Sequence, residues 1–569
     1  MKFYIFNIIV MGIPNFFSWL VRRMENIILF EKYPYGKIQS LMIDMNGLIH
    51  PAVKDVNMNI DQMYSAVSNY LDNVINFANP EKLVYIAIDG VAPKAKMDQQ
   101  RIRRYKSVRE SKQLRDLNIK YGKTITESTV DFNMISPGTV FMNTLKNSLL
   151  DYIKQRKDIN IILDSADNPG EGEHKIMNYI RQNGLDLGNI SIYGLDADLM
   201  FLSLCLNINN ITLLRESMMF KSGEKPVKID GEYTFLDIDC LKTSIGNILS
   251  PIVTFEEISD VITENFFKEP TEKKLVDIDQ FKLIMDYVYI SFFLGNDFLP
   301  NVPSLKIRDG GLDMIILAYK LTSWEIGEYL ISNGKININF LRAFTKLLES
   351  VENDHLQKLH YKKTRRIAQF KIKIETLEPY EKELEELNYI EHLQKNDNIK
   401  IGVDGWQSRY YNNLFFIPYK NKSEQTKLIF DLCKKYIDGT LWVLDYYQGK
   451  LKDWRWSFGY DYAPSIRDIN LYLMTISDLT STFSSTVPVE PYCQLMAILP
   501  PESSHLLPKS LGTLMTSRTS SIHYMYPLTY RYNFFGKRFL WECSPCLPEI
   551  DLNELERIVI YYKNIFTGS

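Results

Sequence analysis

The chain has 569 residues, 45% of them hydrophobic and 13% aromatic, which excludes a disordered protein and calls for more than one packed unit. Its 66 basic and 69 acidic residues leave a formal charge of −3, so a nucleic-acid partner would have to be met by a local basic patch. Six cysteines in so long a chain do not make a disulfide framework and fit reduced thiols inside a cell.

Residues 1–10, MKFYIFNIIV, are apolar but run into Gly12 and Pro14 without a small-residue cleavage pattern. They read as an extension ahead of a natural start at Met11. No later stretch approaches the roughly 20 uninterrupted apolar residues of a membrane span, so no membrane partner is expected. From Ser40 to Asp309, short β-branched runs alternate with helical patterns, which predicts an α/β sheet. The runs are LMID (41–44), LVYIAID (83–89), INIILD (159–164), ISIYGLD (190–196) and ITLL (211–214), with helical segments such as 138–156 between them. Residues 340–395 are charged and helical in pattern and read as a solvated arm or linker. Residues 403–569, rich in Tyr, Trp and Pro, read as a second lobe of mixed α/β structure packed on the first. The expected division is therefore 1–10, 11–310, a connecting segment 311–402, and 403–569.

Several predicted strands end in acid. Asp44 closes LMID, Asp89 closes YIAID, and Asp196 and Asp198 follow the run ending near Gly194. Glu171 and Glu173 stand where a helix begins after the strand ending at Asp164. Ligands of an open parallel sheet bind outside the carboxyl ends of its strands, so these acids should converge on one crevice. Taken singly, a pair such as Asp196 and Asp198 is an N-cap acid with a solvated neighbour; the strand ends taken together argue for more. Asp297 ends the apolar run YVYISFFLGND and needs a partner there. Such a cluster would repel itself without cations, and an all-oxygen set suits Mg²⁺ or Mn²⁺ and not zinc. A pair of such ions about 4 Å apart activates water and stabilises the leaving oxygen in phosphodiester hydrolysis.

A basic helix follows Asp89, with Pro93 placed at its first turn. Lys96, Gln100, Arg103 and Arg104 recur at offsets that return to one helical face. A stripe of one ammonium, one amide and two guanidinium forks is a good phosphate receptor.

At this point the residues resemble the Xrn family of 5′→3′ exoribonucleases. The blocks are MGIPNFFSWL (11–20), IDMNGLIHP (43–51), IAIDGVAPKAKMDQQR (86–101), ISPGTVFM (135–142), NPGEGEHKIMNYIR (168–181), YGLDADLMFL (193–202), LLRE (213–216) and FFLGNDFLP (292–300). A second set is LWVLDYYQG (441–449), DWRW with YAP (453–464), QLMAILPPESSHLLP (494–508) and GKRFLWE (536–542). The resemblance covers essentially the whole chain from Met11. It implies a Rossmann-like, PIN-like sheet of the 5′-nuclease type with flanking helices as the nuclease core (11–310). The family's two-metal site falls on Asp44, Asp89, Glu171, Glu173, Asp196, Asp198 and Asp297, and its 5′-phosphate pocket on Lys96, Gln100, Arg103 and Arg104. Its base-stacking His matches His50, and Trp442 is the match for its Trp. Stacking holds bases without reading them. The implied protein is a monomeric, Mg²⁺-dependent exonuclease, two ions per site, on 5′-monophosphorylated single-stranded RNA, a cap or triphosphate being too bulky for the pocket.

The chain also departs from the family's pattern. Asp164 and Asp167 add charge ahead of the Glu171 turn, Asp461 stands where the family has His, and the chain ends soon after GKRFLWE, without the C-terminal domains of the large members. Cys543 and Cys546 form a CxxC with no second pair at zinc spacing and read as ordinary thiols. No basic cluster of nuclear-targeting type stands out, which points to the cytoplasm. Two rivals share parts of the pattern: a flap-type, structure-specific endonuclease, and a non-catalytic protein that binds 5′-monophosphate RNA.

Overall fold

The computed structural model describes residues 28–53, 58–124, 130–194, 196–219, 227–250, 278–332, 334–394, 397–418, 421–481 and 483–566, with Phe16, Trp19, Leu20 and Arg23 ahead of them. The extension 1–10 and most of the MGIPNFFSWL block lie outside the described residues.

Seven strands form one sheet: β1 (Leu29–Phe30), β2 (Ser40–Asp44), β3 (Leu83–Ala87), β4 (Asn160–Asp164), β5 (Ile190–Tyr193), β6 (Ile211–Met219) and β7 (Val227–Asp237). Their order is β1-β7-β6-β5-β2-β3-β4. The five strands from β4 to β6 are parallel, and β7 and β1 add an antiparallel edge. The five expected runs are thus strands. The β6–β7 ladder, irregular between Glu216 and Met218, extends beyond the expected ITLL.

Alternate residues of the central strands feed two cores, as a pleat buried on both faces requires. Leu41, Ile43, Val84 and Ile86 pack under α2 (Ile60–Ala78) and α4 (Val140–Gln155), which follow α1 (Met45–Ala52) and α3 (Lys94–Lys120) in their order along the chain. Met42, Tyr85 and Ile192 face α5 (Gly172–Leu187), α6 (Asp198–Leu204), α7 (Ile238–Leu249) and α8 (Gln280–Ser291). Asn59 and Gln62 cap α2 reciprocally and Thr139 caps α4, each side chain accepting from an otherwise unpaired backbone N–H. Pro93 is the N-cap of α3 and not a residue of its first turn.

Beyond α9 (Gly311–Ile326) runs α10 (Ile338–Glu375), 38 residues and so roughly 57 Å long. It is not a solvated arm throughout. Phe340, Leu341, Phe344, Leu348 and Leu356 of its first half are buried, and Thr345 Oγ1 meets Asn470 Oδ1 at 3.1 Å. Residues 403–569 prove largely helical: α11 (Trp406–Phe415), α12 (Lys422–Tyr447), α13 (Ile466–Leu473), α14 (Pro491–Ile498), α15 (Lys509–Thr516) and α16 (Leu552–Phe566). Among the described residues of this stretch, the only strand pairing is Tyr532–Asn533 with Ser544–Pro545. This region clasps the start of α3: Trp454 O accepts from Lys94 N–H at 2.8 Å, and Gln494 Oε1 accepts from Ala92 N–H at 2.7 Å.

Candidate active site

Asp44 is the last residue of β2, and Asp196 and Asp198 follow β5, the last opening α6. β2 and β5 adjoin where the strand order reverses, so these three acids stand at the switch point that open α/β sheets use for ligands. Asp89 lies two residues past β3. Its Oδ1 accepts from Gly172 N–H at 2.6 Å and its Oδ2 from Asn46 Nδ2 at 2.7 Å. Glu171 is the N-cap of α5 and Glu173 sits in its first turn, where the helix end favours negative charge. Glycine suits 172: a Cβ there would be crowded, at 3.0 Å from Asp44 Oδ1, 3.1 Å from Ala87 O and 3.3 Å from Asp89 Oδ1. The start of α5 can therefore come right up to both carboxylates.

Lys96 occupies the middle of this arrangement. Its Nζ lies 2.6 Å from Glu171 Oε2 and 2.9 Å from Asp297 Oδ2, with all three side chains 5–6% exposed. Two tyrosines enter from the last turn of α12. Tyr446 donates to Glu171 Oε1 at 2.6 Å, and Tyr447 donates to Asp198 Oδ1 at 3.2 Å. The His174 ring stacks on Tyr446 with centroids 3.7 Å apart. Glu171, Glu173 and His174 bring ligand atoms within 4.8 Å of one another, adding an imidazole to a set that sequence reasoning took as oxygen only. His174, Tyr446 and Tyr447 were missed. His174 lies within the PGEGEHK turn and offered the one signal that was available.

The electrostatics follow from this crowding. Desolvation, then Asp89 and Asp196, hold the Asp44 carboxyl well above its ordinary range; desolvation and Asp196 do the same for Glu173 and Asp198. Glu171 and Asp196 are also raised by desolvation, with Lys96 opposing. Burial pulls the Lys96 ammonium down, but Glu171 and Asp297, with Glu173 and Asp196, outweigh it and hold it well above its ordinary value. One ammonium cannot neutralise seven carboxyl groups. It stands where a cation is wanted, and the carboxylate-rich donor set fits divalent cations.

The rest of the stripe lies further along α3. Gln100 and Arg104 are buried, and Arg104 donates to Ser136 Oγ at 2.8 Å. Among the described residues, Arg104 Nη1 and Gln100 Oε1 are buried without a hydrogen-bond partner. A phosphate oxygen fits the open guanidinium donor, and a turned amide offers a second. Burial, and then Arg103, lower the Arg104 guanidinium to about 9. Lys96 shares the helical stripe but reaches the acids instead. His50, in the last turn of α1, is exposed to solvent near Arg103 and Arg104. Desolvation, then Arg103 and Arg104, hold it down to about 4, so it is a neutral imidazole at physiological pH.

Trp442 is a core residue and not an open stacking platform. It is 1% exposed, donates from Nε1 to Asp453 O at 2.9 Å, and stacks on Trp456 at 5.0 Å. Phe298 and Tyr446 close its other sides at 5.3 and 5.2 Å. Asp164 accepts from Tyr85 OH at 2.7 Å and pairs with Lys175 at 3.1 Å, and Asp167 pairs with Lys146 at 2.8 Å. Both extra acids are thus engaged with cations on the rim. Cys543 is buried, and Cys546 is exposed with its thiol on Asn533 Oδ1 at 3.2 Å.

Acids that repel one another this strongly need cations, and a buried guanidinium beside them needs an anion; a divalent-metal nuclease acting on phosphodiesters uses both. The family profile described as the XRN 5′-3′ exonuclease N-terminus matches residues 11–217, and that of the Xrn1 helical domain matches 276–391 and 367–566. The chain belongs to the Xrn family. It is 29% identical to the 5′-3′ exoribonuclease 2 of Arabidopsis thaliana, over 96% of this chain and 66% of that one. It is 28% identical to the 5′-3′ exoribonuclease 2 homolog of Drosophila melanogaster, over 98% of this chain and 72% of that one. It thus spans roughly two thirds of the length of these relatives. Among solved structures, the catalytic core of Rad2 in complex with a DNA substrate aligns at 12% identity and a TM-score of 0.29, over 66% of this chain and 78% of that one. Among the described residues, no helix is long and apolar enough to cross a membrane.

Proposed function

We propose that the chain is a 5′→3′ exoribonuclease that removes 5′-mononucleotides from 5′-monophosphorylated single-stranded RNA. It acts as a monomer with two Mg²⁺ ions, for which Mn²⁺ can substitute. The observation that carries this reading is the Lys96 ammonium held between Glu171 and Asp297, on the same helix as the buried, open Nη1 of Arg104. Asp44, Asp89, Glu171, Glu173, Asp196, Asp198 and Asp297 would hold the ions, which supply an activated water and stabilise the leaving oxygen.

The chain's own residues do the rest. Arg103, Arg104 and Gln100 receive the 5′-phosphate, and this pocket takes a monophosphate in preference to a triphosphate or cap. The neutral His50 ring stacks on a base without adding charge. Tyr446 and Tyr447 orient Glu171 and Asp198 by donating to them, as outer hydrogen-bond partners of metal-binding carboxylates do. Lys96, on the wall between the acids and the stripe, offsets charge until substrate and ions arrive. Release of the nucleotide then lets the strand advance by one.

Uniformly labelled RNA tests this. Mononucleotides as the sole early product support it. A fixed-length fragment makes the chain a flap-type endonuclease, and tight binding without cleavage makes it an RNA-binding protein.

A further inference from the structure

A cavity of about 510 Å³ lies against α3 on the side away from the phosphate stripe. Asp98 and Ile102 face it; at 100° per residue they lie about 200° and 240° on from Lys96, across the helix from the stripe, and Gln99 lines its margin. Asp297 and Phe298 form part of its wall, so it stands directly behind the acid cluster. Its volume is that of a small-molecule site.

Two features of its lining define a chemistry. The first is a pair of half-buried lysines, Lys306 and Lys537. Among the described residues neither forms an ion pair, whereas the neighbouring arginines are matched, Arg308 by Glu542 and Arg538 by Asp309. Among the described residues Lys306 donates only to the carbonyl of Gly536, whose φ of +70° and missing side chain let it approach; a Cβ there would lie 3.1 Å from Nζ. Desolvation, then Arg308 and Lys537, hold the Lys306 ammonium down to about 7, and desolvation lowers Lys537 too. An anion would relieve both. The second feature is an aromatic wall. Phe458 and Tyr460 have ring centroids 5.3 Å apart, and Tyr462 and Phe535 6.0 Å apart. Tyr460 is 45% exposed.

We propose that this cavity binds a nucleoside 5′-monophosphate, its phosphate on Lys306 and Lys537 and its base against the aromatic wall. A lysine pair supplies charge-assisted donors to phosphate, and aromatic faces stack on any base. The ligand's identity as the product of RNA hydrolysis rests on the exonuclease reading; the anion-plus-aromatic chemistry does not. The cavity is a holding place for the released nucleotide, one wall away from where it forms.

The test is calorimetric titration of the full chain, in chelator, with AMP and separately with inorganic phosphate. The wild type should show two AMP sites, one weakened by Arg104→Gln and the other by Lys306→Gln with Lys537→Gln, the latter by about tenfold or more. Tyr460→Ala, at an exposed position, should weaken the second site for AMP and leave phosphate binding unchanged. If both the lysine variant and Tyr460→Ala bind AMP as the wild type does, there is no cavity site. If the lysine variant loses phosphate, but AMP binds no tighter than phosphate and ignores Tyr460→Ala, the site takes inorganic anions and the nucleotide assignment falls. Should the lysine variant melt early, Tyr460→Ala alone decides. RNA degradation by the same preparations keeps the two readings apart: degradation with no lysine-dependent AMP site overturns only the cavity, and lysine-dependent AMP binding without degradation overturns only the exonuclease.

Discussion

Replacing Lys96 by Met removes the ammonium from the acid cluster while keeping an unbranched stem, so lost packing does not confuse the result. The ammonium is within 2.9 Å of carboxylates on two sides, and all three side chains are at most 6% exposed. Removing one member of a buried ion pair typically costs about 3–5 kcal/mol. Glu171 already has a raised pKa and takes up a proton readily, which puts the expected loss near the lower end, about 3 kcal/mol. The measurement is equilibrium unfolding of wild type and variant in chelator and in Mg²⁺. With Lys96 gone the acids should hold Mg²⁺ more tightly, and a hundredfold tighter Kd than in the wild type contributes about 2.7 kcal/mol at saturation, close to the whole deficit. Mg²⁺ should therefore stabilise the variant more than the wild type and bring the two within about 1 kcal/mol, since the ion replaces the missing charge. Equal stability in chelator, or a deficit that Mg²⁺ leaves unchanged, would refute the claim that Lys96 stands at a cation's place.

Tyr446→Phe removes the hydroxyl that orients Glu171, so kcat for RNA degradation should fall about 10–100-fold with KM little changed. An unchanged kcat would show that Tyr446 does not position that acid. Trp442→Ala should cost about 3–5 kcal/mol of stability, as deletion of a core aromatic does, while the folded fraction keeps its RNA affinity; a stable variant that has lost RNA would restore its stacking role. Glu352, buried under Ile466 N–H at 3.1 Å, has its pKa raised by burial from 4.5 to about 8. The folded state then holds a proton that the unfolded state has lost, so stability falls as pH rises through that window. Glu352→Gln should lose less stability than the wild type between pH 5 and 8, by about 1.4 kcal/mol or more, one pKa unit's worth; parallel pH profiles would contradict this.

The sheet was legible because its central strands are buried on both faces and so appear as unbroken β-branched runs ending in acid. The partner strand β7, Val227–Asp237, between β6 and the two-residue β1, alternates charged and apolar residues and gave no such run. Asp44, Asp89, Asp196 and Asp198 could be grouped from sequence because parallel strands bring their carboxyl ends to one rim. Lys96 shows where spacing runs out: helical periodicity puts it on the stripe with Gln100 and Arg104, but a four-carbon stem lets its ammonium reach Glu171 and Asp297 instead. Trp442 and Tyr446 lie on one helix four residues apart, and nothing in that spacing says which ring is enclosed and which hydroxyl meets an acid. Only the packing of α12 against Phe298 and Trp456 decides it.

The most direct test of the central claim is one single-stranded RNA, bearing either a 5′-monophosphate or a 5′-triphosphate, incubated with the purified chain and Mg²⁺ beside Asp196→Ala and Arg104→Gln variants. The account predicts that the monophosphate RNA alone is reduced to mononucleotides, that Asp196→Ala abolishes this, and that Arg104→Gln erodes the preference between the two ends. Equal degradation of both RNAs, or degradation that survives Asp196→Ala, would contradict it.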